Sequence, residues 1–193
     1  MRVISGTSRG RKLVTPPGTD VRPTTDRVKE AWFSSIGPRI VGSAVLDLYA
    51  GSGALGIESA SRGADRVVCV EDDPTALGAI EENIAATRLE VLAIRSDVGR
   101  AVGADGRTPH PALTARPFDL VLLDPPYAFD LDELAGVLAA LPALLAPGAV
   151  VWLEAYRKAD IGWPSTLRVL RERRYGDTVL HTAESADEAE EPA

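Results

Sequence analysis

From residue 44 onward the chain alternates short apolar runs with longer segments whose apolar residues recur at helical spacing. The runs predict strands over 44–49, 66–71, 89–95, 118–123 and 148–155. The first four are near-continuous in aliphatic residues, as in strands buried on both faces of a parallel sheet. Between and after them, 54–62, 74–86, 97–103 and 130–141 read as helices. Such alternation specifies an α/β sheet covered on both sides. Two last strand-like runs, 166–174 and 177–183, flank Tyr175-Gly176 and predict an antiparallel hairpin. The expected architecture is α/β: a Rossmann-like, doubly wound, seven-stranded and mostly parallel sheet, closed by that C-terminal hairpin.

The first 43 residues have a different texture. Residues 2–5 and 11–15 look like short strands around Gly6-Thr7-Ser8-Arg9-Gly10, giving a small N-terminal β-hairpin extension. A connector with Pro16-Pro17-Gly18 follows, then Arg22-Pro23-Thr24-Thr25. Thr25 can N-cap a helix over 26–36, with Asp26 in its electropositive first turn and Val28, Ala31 and Trp32 on one face. Gly37-Pro38 ends it. The expected divisions are an arm and connector over 1–21, the main domain over 22–183 and a tail over 184–193. The tail carries Glu184, Asp187, Glu188, Glu190 and Glu191, with too little apolar surface to order itself. The Gly/Pro-rich stretch 103–117 reads as a surface loop with a solvated His110, and His181 reads as structural. Losing residues 1–15 is expected to leave the sheet and the Thr25-capped helix intact.

Composition narrows the function classes. No apolar run approaches the ~20 residues of a membrane span, and no long apolar stretch follows Met1, so the expected location is the cytoplasm. The one cysteine, Cys69, excludes an internal disulfide and a cysteine-built zinc site. Within Arg66–Val70 it reads as a buried strand residue, where a thiol nucleophile would need an exposed, electropositive setting. A net charge of −7 speaks against a nucleic-acid partner until it is mapped. Residues 1–29 hold seven Lys/Arg against Asp20 and Asp26. Arg2, Arg9, Arg11 and Lys12 lie in an acid-free segment on an otherwise acidic chain, a pattern suited to RNA phosphates or to a solvated basic face.

Two motifs carry chemistry. In Val45-Leu46-Asp47-Leu48-Tyr49-Ala50-Gly51-Ser52-Gly53-Ala54-Leu55-Gly56 a strand runs through a glycine turn into a helix. Such a turn lets backbone approach a ligand and presents free N–H groups at the helix start. Glu71, 20 residues beyond Gly51, can accept the hydroxyls of an adenosine ribose. These features suit NAD as well as S-adenosylmethionine, but Asp47 could face a cationic amino group and would repel a pyrophosphate. The second motif is Asp124-Pro125-Pro126-Tyr127, directly after the apolar run 120–123. Prolines fix their φ angles and offer carbonyls without competing N–H groups. Asp124 and the Pro125 carbonyl can accept the hydrogens of a base amine, leaving its lone pair directed at a methyl donor. Tyr127 can stack on the base, worth ~1–3 kcal/mol.

Asp47, Gly51-x-Gly53, Glu71, Asp97 and Asp124-Pro125-Pro126-Tyr127 resemble the motifs of the class I methyltransferases. Arg22-Pro23-Thr24-Thr25-Asp26-Arg27-Val28-Lys29-Glu30-Ala31-Trp32-Phe33, with Arg2-Val3-Ile4-Ser5-Gly6 and Gly10-Arg11-Lys12-Leu13, is similar to the RsmD family. The likeness runs from residue 1 to about residue 183. It implies S-adenosylmethionine as cofactor and methylation of the N2 amine of guanine 966 (family rRNA numbering) in 16S rRNA. The partner would be that RNA within a partly assembled 30S subunit, and the enzyme a monomer. The resemblance also implies that Asp47 and the backbone of Ala50, Gly51, Ser52 and Gly53 hold the methionine end. Glu71, beside Asp72, takes the ribose; Asp97 takes the adenine amine and Val98 the ring edge. Arg22, Thr24 and Thr25 lie beside the cofactor's carboxylate, and the cations of the arm grip RNA. Transfer is then a direct displacement with no covalent intermediate and no metal. Three alternatives stand beside this reading: N6-adenine methylation of DNA or RNA, glutamine methylation of a protein, and a catalytically silent RNA-binding assembly factor. The first two more often show Asn in place of Asp124.

Overall fold

The computed structural model describes residues 1–16, 26–126 and 129–186. Arg22, Thr24, Thr25, Tyr127 and all but the first residues of the acidic tail lie outside them. The strands are β1 (Ala44–Leu48), β2 (Arg66–Glu71), β3 (Leu92–Arg95), β4 (Phe118–Leu123), β5 (Leu145–Tyr156), β6 (Leu167–Tyr175) and β7 (Thr178–Ser185). They form one sheet in the order β3-β2-β1-β4-β5-β7-β6. The first five run parallel and β7 is antiparallel to both β5 and β6. Strand order therefore reverses direction between β1 and β4, the switch point at which a doubly wound sheet opens a ligand crevice.

The helices are α1 (Asp26–Ile36), α2 (Ala54–Ser61), α3 (Pro74–Thr87), α4 (Val98–Val102), α5 (Pro111–Thr114) and α6 (Leu131–Ala140). On one face, Trp32, Phe33 and Ile36 of α1, Leu55 of α2 and Ile80 of α3 pack on Val45, Cys69, Leu122 and Trp152. On the other, Val98 and Val102 of α4, Leu113 of α5 and Leu134 and Leu138 of α6 cover Leu46, Val68, Val121 and Leu153. Every residue of β1 is buried, because period-two alternation sends its side chains into both layers. Local chemistry starts the helices. Asp73 accepts from the N–H groups of Thr75 and Ala76 with Pro74 in the first turn of α3, and Asp130 accepts from that of Asp132 at α6.

Two expectations are corrected here. β3 starts at Leu92 rather than at 89, and as an edge strand it is half open, with Leu92 49% exposed. Leu89 and Val91 pack instead with the arm. The 103–117 stretch contains α5, whose Leu113 is fully buried. His110, exposed as expected, is its cap: Nδ1 accepts from the Ala112 N–H at 3.2 Å. Arg66 ties α5 to β2 by donating to the carbonyls of Ala112 and Arg116 and lying 4.3 Å above the Phe118 ring.

The arm does not behave as a detachable hairpin. Val3 donates to Arg11 and Leu13 to Met1, yet only Arg2 and Lys12 form a ladder bridge. Its apolar side, Val3 and Leu13, packs on Ala54 and Ile57 of α2. The N–H groups of Ile4 and Ser5 donate to the two oxygens of Glu58 at 2.7 and 2.9 Å. Glu58 is fully buried, receives Arg62 Nε at 2.7 Å, and lies 3.9 Å from the equally buried Lys29 Nζ, which donates to the Arg2 carbonyl. Asn83 of α3 exchanges hydrogen bonds with both backbone groups of Val14 and donates to the Ser52 carbonyl in the glycine turn. At Gly6, φ is +85° and an added Cβ would fall 1.7 Å from the Ser61 carbonyl oxygen, so only glycine allows this approach. Removing residues 1–15 would take the Arg2 carbonyl from Lys29 and the Ile4 and Ser5 N–H groups from Glu58, a coupling of arm to core that the sequence expectation did not include.

Candidate active site

The parallel register brings the motif residues to one edge of the sheet. Leu48 is level with Val70 and with Leu123, and Glu71 with Arg95. The glycine turn, Glu71, Asp97 and Asp124 thus leave adjacent carboxyl ends of β1, β2, β3 and β4. Tyr49, Gly51 and Gly53 have φ of 60°, 56° and 74°, a left-handed sequence that turns the chain sharply into α2. For a tyrosine this conformation is strained, and strain of that kind gathers at ligand sites. Gly56 is required for packing: a Cβ there would lie 2.4 Å from Cys69 Sγ and 3.1 Å from Asp47 Oδ2.

Carboxylates dominate the crevice. Asp47 is 1% exposed; its Oδ2 accepts the Gly56 N–H at 2.8 Å and lies 3.8 Å from Cys69 Sγ. It therefore fixes the start of α2 from beneath. Burial, then the charges of Asp124 and Glu71, push its carboxyl up to about 7, against the opposing pull of the Gly56 hydrogen bond. Burial also pushes the Cys69 thiol up, with Asp47 adding to the effect, which keeps it protonated and inert. Glu71 Oε2 accepts from Gly51 N–H at 2.7 Å, and Oε1 from Asp72 and Asp73 N–H at 3.0 Å. Its carboxyl is raised by burial while the Asp73 and Gly51 hydrogen bonds pull the other way. Two carboxylate oxygens offer about four acceptor positions, so Glu71 keeps capacity beyond these three. Asp97 is exposed and caps α4, Oδ1 accepting from Arg100 N–H at 2.8 Å, and Val98 behind it is buried. Asp124 and Pro125 are half-buried; Pro126 is exposed, and its carbonyl accepts from Phe129 N–H at 3.0 Å.

A matching family model, described as conserved hypothetical protein 95, spans residues 1–184. Ribosomal RNA small subunit methyltransferase D of Haemophilus influenzae is 34% identical over 184 residues, covering 91% of this chain and 89% of the relative. The chain belongs to the RsmD family of methyltransferases. Among solved structures, yhhF from Escherichia coli superposes with a TM-score of 0.79 at 30% identity, covering 96% of this chain and 97% of that one. The Thermus thermophilus 16S rRNA N2 G1207 methyltransferase RsmC, in complex with AdoMet and guanosine, superposes at 0.65 with 26% identity, covering 88% and 45%.

Within this RsmD-family chain the structure adds residues that no motif singles out. Tyr49 packs edge-on against Phe129, ring centroids 5.0 Å apart, and its hydroxyl is buried with no hydrogen-bond partner among the described residues. Burial, then Glu133, Asp97 and Asp72, drive that hydroxyl's pKa upward. Tyr49 and Phe129 form an aromatic wall between the glycine turn and the segment after Asp124. The available signal was weak: an aromatic residue directly ahead of a glycine turn. Of the arm's cations, Arg2, Arg9, Arg11 and Lys12 are all exposed.

Proposed function

We propose that this methyltransferase transfers the methyl group of S-adenosylmethionine to the exocyclic N2 amine of a guanine in 16S rRNA. The observation that carries the reading is the level placement of Leu48 and Leu123, which sets Asp124 beside the glycine turn. A cofactor held along the turn and an amine held by Asp124 would then be neighbours. The electrostatics suit this cofactor. Asp47 and Glu71, both held above the ordinary carboxylate range, ionise more readily when a cation lies between them. A sulfonium with an ammonium group meets that demand, and a pyrophosphate opposes it. When bound, the cofactor supplies an electrophilic methyl group.

The chain's own residues do the rest. Glu71 takes the ribose hydroxyls beside Asp72 while steadying Gly51, and Asp97 with Val98 meets the adenine. Asp47 and the backbone of Ala50–Gly53 take the methionine end. Asp124 and the Pro125 carbonyl accept the amine hydrogens, and Asp124 stabilises the positive charge that develops on nitrogen. Arg22, Thr24, Thr25 and Tyr127 would complete the site from segments outside the described residues, at the cofactor's carboxylate and the base face. Catalysis is then positioning and electrostatic stabilisation. A base must leave its stack to reach Asp124, as base-modifying enzymes require. Support for an RNA substrate comes from the relative named for the small-subunit RNA and from the exposed cations of the arm. We place the reaction on a partly assembled small subunit, by a monomer. The test is Asp124→Ala: methyl transfer should vanish while S-adenosylmethionine affinity stays nearly unchanged.

A further inference from the structure

Behind the catalytic edge, on the α1 face of the sheet, a groove of about 250 Å³ lies between the end of α1 and the edge strand β6. Val150 and Trp152 line it from β5, Ser35 and Arg39 from the α1 side, and Thr182 and Arg171 from the hairpin. Trp152 is 2% exposed, and its indole N–H has no hydrogen-bond partner among the described residues. The polar side chains lining the groove end in hydroxyls and guanidinium groups, with no carboxylate among them. That is a surface of donors, and it suits an anion rich in acceptor oxygens.

The groove belongs to a longer strip. β6 reads Leu167-Arg168-Val169-Leu170-Arg171-Glu172-Arg173-Arg174-Tyr175, and all but its two ends are exposed. The register shift between Val169 and Arg171 places Arg171 opposite Thr182 and Arg173 opposite Leu180. Thr182 and Leu180 pair in turn with Trp152 and Glu154, and Trp152 and Leu180 lie in the core beneath α1. Arg171 and Arg173 therefore stand on the α1 side, and Arg171 lines the same groove as Arg39. Glu172, between them, pairs with Leu153's neighbour His181 on the opposite side, 3.2 Å from its Nδ1, and Arg168 is held by Glu184 at 3.1 Å. Arg39, Arg171, Arg173 and Arg174 have no ion-pair partner among the described residues, on a chain whose net charge is −7. Unpaired arginines gathered on an acidic protein call for an external polyanion.

Position selects which one. Tyr175 is level with Thr178, and Thr178 with Tyr156, at the carboxyl end of β5 where the catalytic crevice opens. From there to Arg171 the strand descends roughly 13 Å at the usual rise per residue. A second copy pairing edge to edge through β6 would set arginine against arginine, the arrangement by which edge strands avoid self-pairing.

We propose that this groove and the β6 arginines bind the phosphate backbone of substrate RNA flanking the target nucleotide. The proposal rests on the RNA reading given above. Each phosphate contact on a single strand adds about −0.7 to the slope of log affinity against log salt. The test compares the full-length protein with a variant combining Arg39→Ala, Arg171→Ala and Arg173→Ala, and with the corresponding lysine variant. A small-subunit rRNA fragment is titrated at two salt concentrations, alongside S-adenosylmethionine affinity, thermal unfolding and light scattering. The alanine variant should lose at least tenfold in RNA affinity and about two units of salt slope, with cofactor affinity and unfolding unchanged. The lysine variant should keep most of the slope. Equal affinity and slope in the alanine variant, beside clear RNA binding by the unaltered protein, overturns the groove alone. RNA binding and methylation both absent from the unaltered protein overturn the reading it rests on as well. A dimer lost in the alanine variant while RNA binding persists shows a self-interface and overturns the proposal too.

Discussion

Burial makes Asp47 hold its proton to higher pH, and that gives it a measurable pH signature. Its folded value of about 7 lies above the ordinary 3.8, so the folded state binds the proton more tightly than the unfolded state does. Stability on this account is highest below pH ~4, falls as pH rises to about 7, and is flat beyond. Asp47→Asn keeps an oxygen for the Gly56 N–H and removes the buried charge. It should raise stability by a few kcal/mol at pH 8 and by little at pH 4, as read from denaturant unfolding at the two pH values. The same change should weaken S-adenosylmethionine binding, because the ionised form attracts the cation. Affinity in the unaltered protein should accordingly rise from pH 6 to 8. Glu71→Ala removes both the expected ribose contact and the support of Gly51, and should weaken cofactor binding by roughly 1.5–3 kcal/mol, the range for hydrogen bonds to a charged group. Calorimetry measures it, and NAD should not compete.

Among the elements, the arm is where reading by segments and the folded structure part company. Basic residues and a glycine turn were legible in residues 1–15, but Lys29 and Glu58 were not, being far from the arm in the chain. Their burial comes from tertiary packing, which no local pattern reports. Glu58→Ala should destabilise the fold by about 3–5 kcal/mol, because it removes a buried carboxylate that accepts from Ile4, Ser5 and Arg62 and lies 3.9 Å from the buried Lys29 Nζ. Chemical denaturation of the two proteins decides it; a change below 1 kcal/mol, the scale of a surface pair, would show the cluster to be dispensable. The strands and longer helices were legible because a buried parallel sheet demands continuous apolar runs. β3 came out shorter because an edge strand needs fewer of them. At four residues α5 was hidden, since such a helix has no full period to display. Tyr49 was missed because its strained backbone is imposed by the turn around it and leaves no mark in composition.

For the whole molecule, the sheet order decides where chemistry can occur, and charge decides what is drawn there. Reversal between β1 and β4 opens one crevice, and the four acidic motif positions legible in the sequence all converge on it. The β6 arginines were equally visible as residues, but only the hairpin register shows that Arg171 and Arg173 share a side with Arg39. On a chain of net charge −7, the exposed cations of the arm and of β6 should make RNA binding strongly salt-dependent while cofactor binding is not. The central claim is the chemistry itself, and transfer of a tritiated methyl group tests it most directly. The protein is offered small-subunit particles, 16S rRNA, duplex DNA and total protein, and labelled products are digested to nucleosides or amino acids. The account predicts label in N2-methylguanosine from RNA or particles, abolished by Asp124→Ala. Label confined to adenine, to DNA or to protein, or transfer that survives Asp124→Ala, would contradict it.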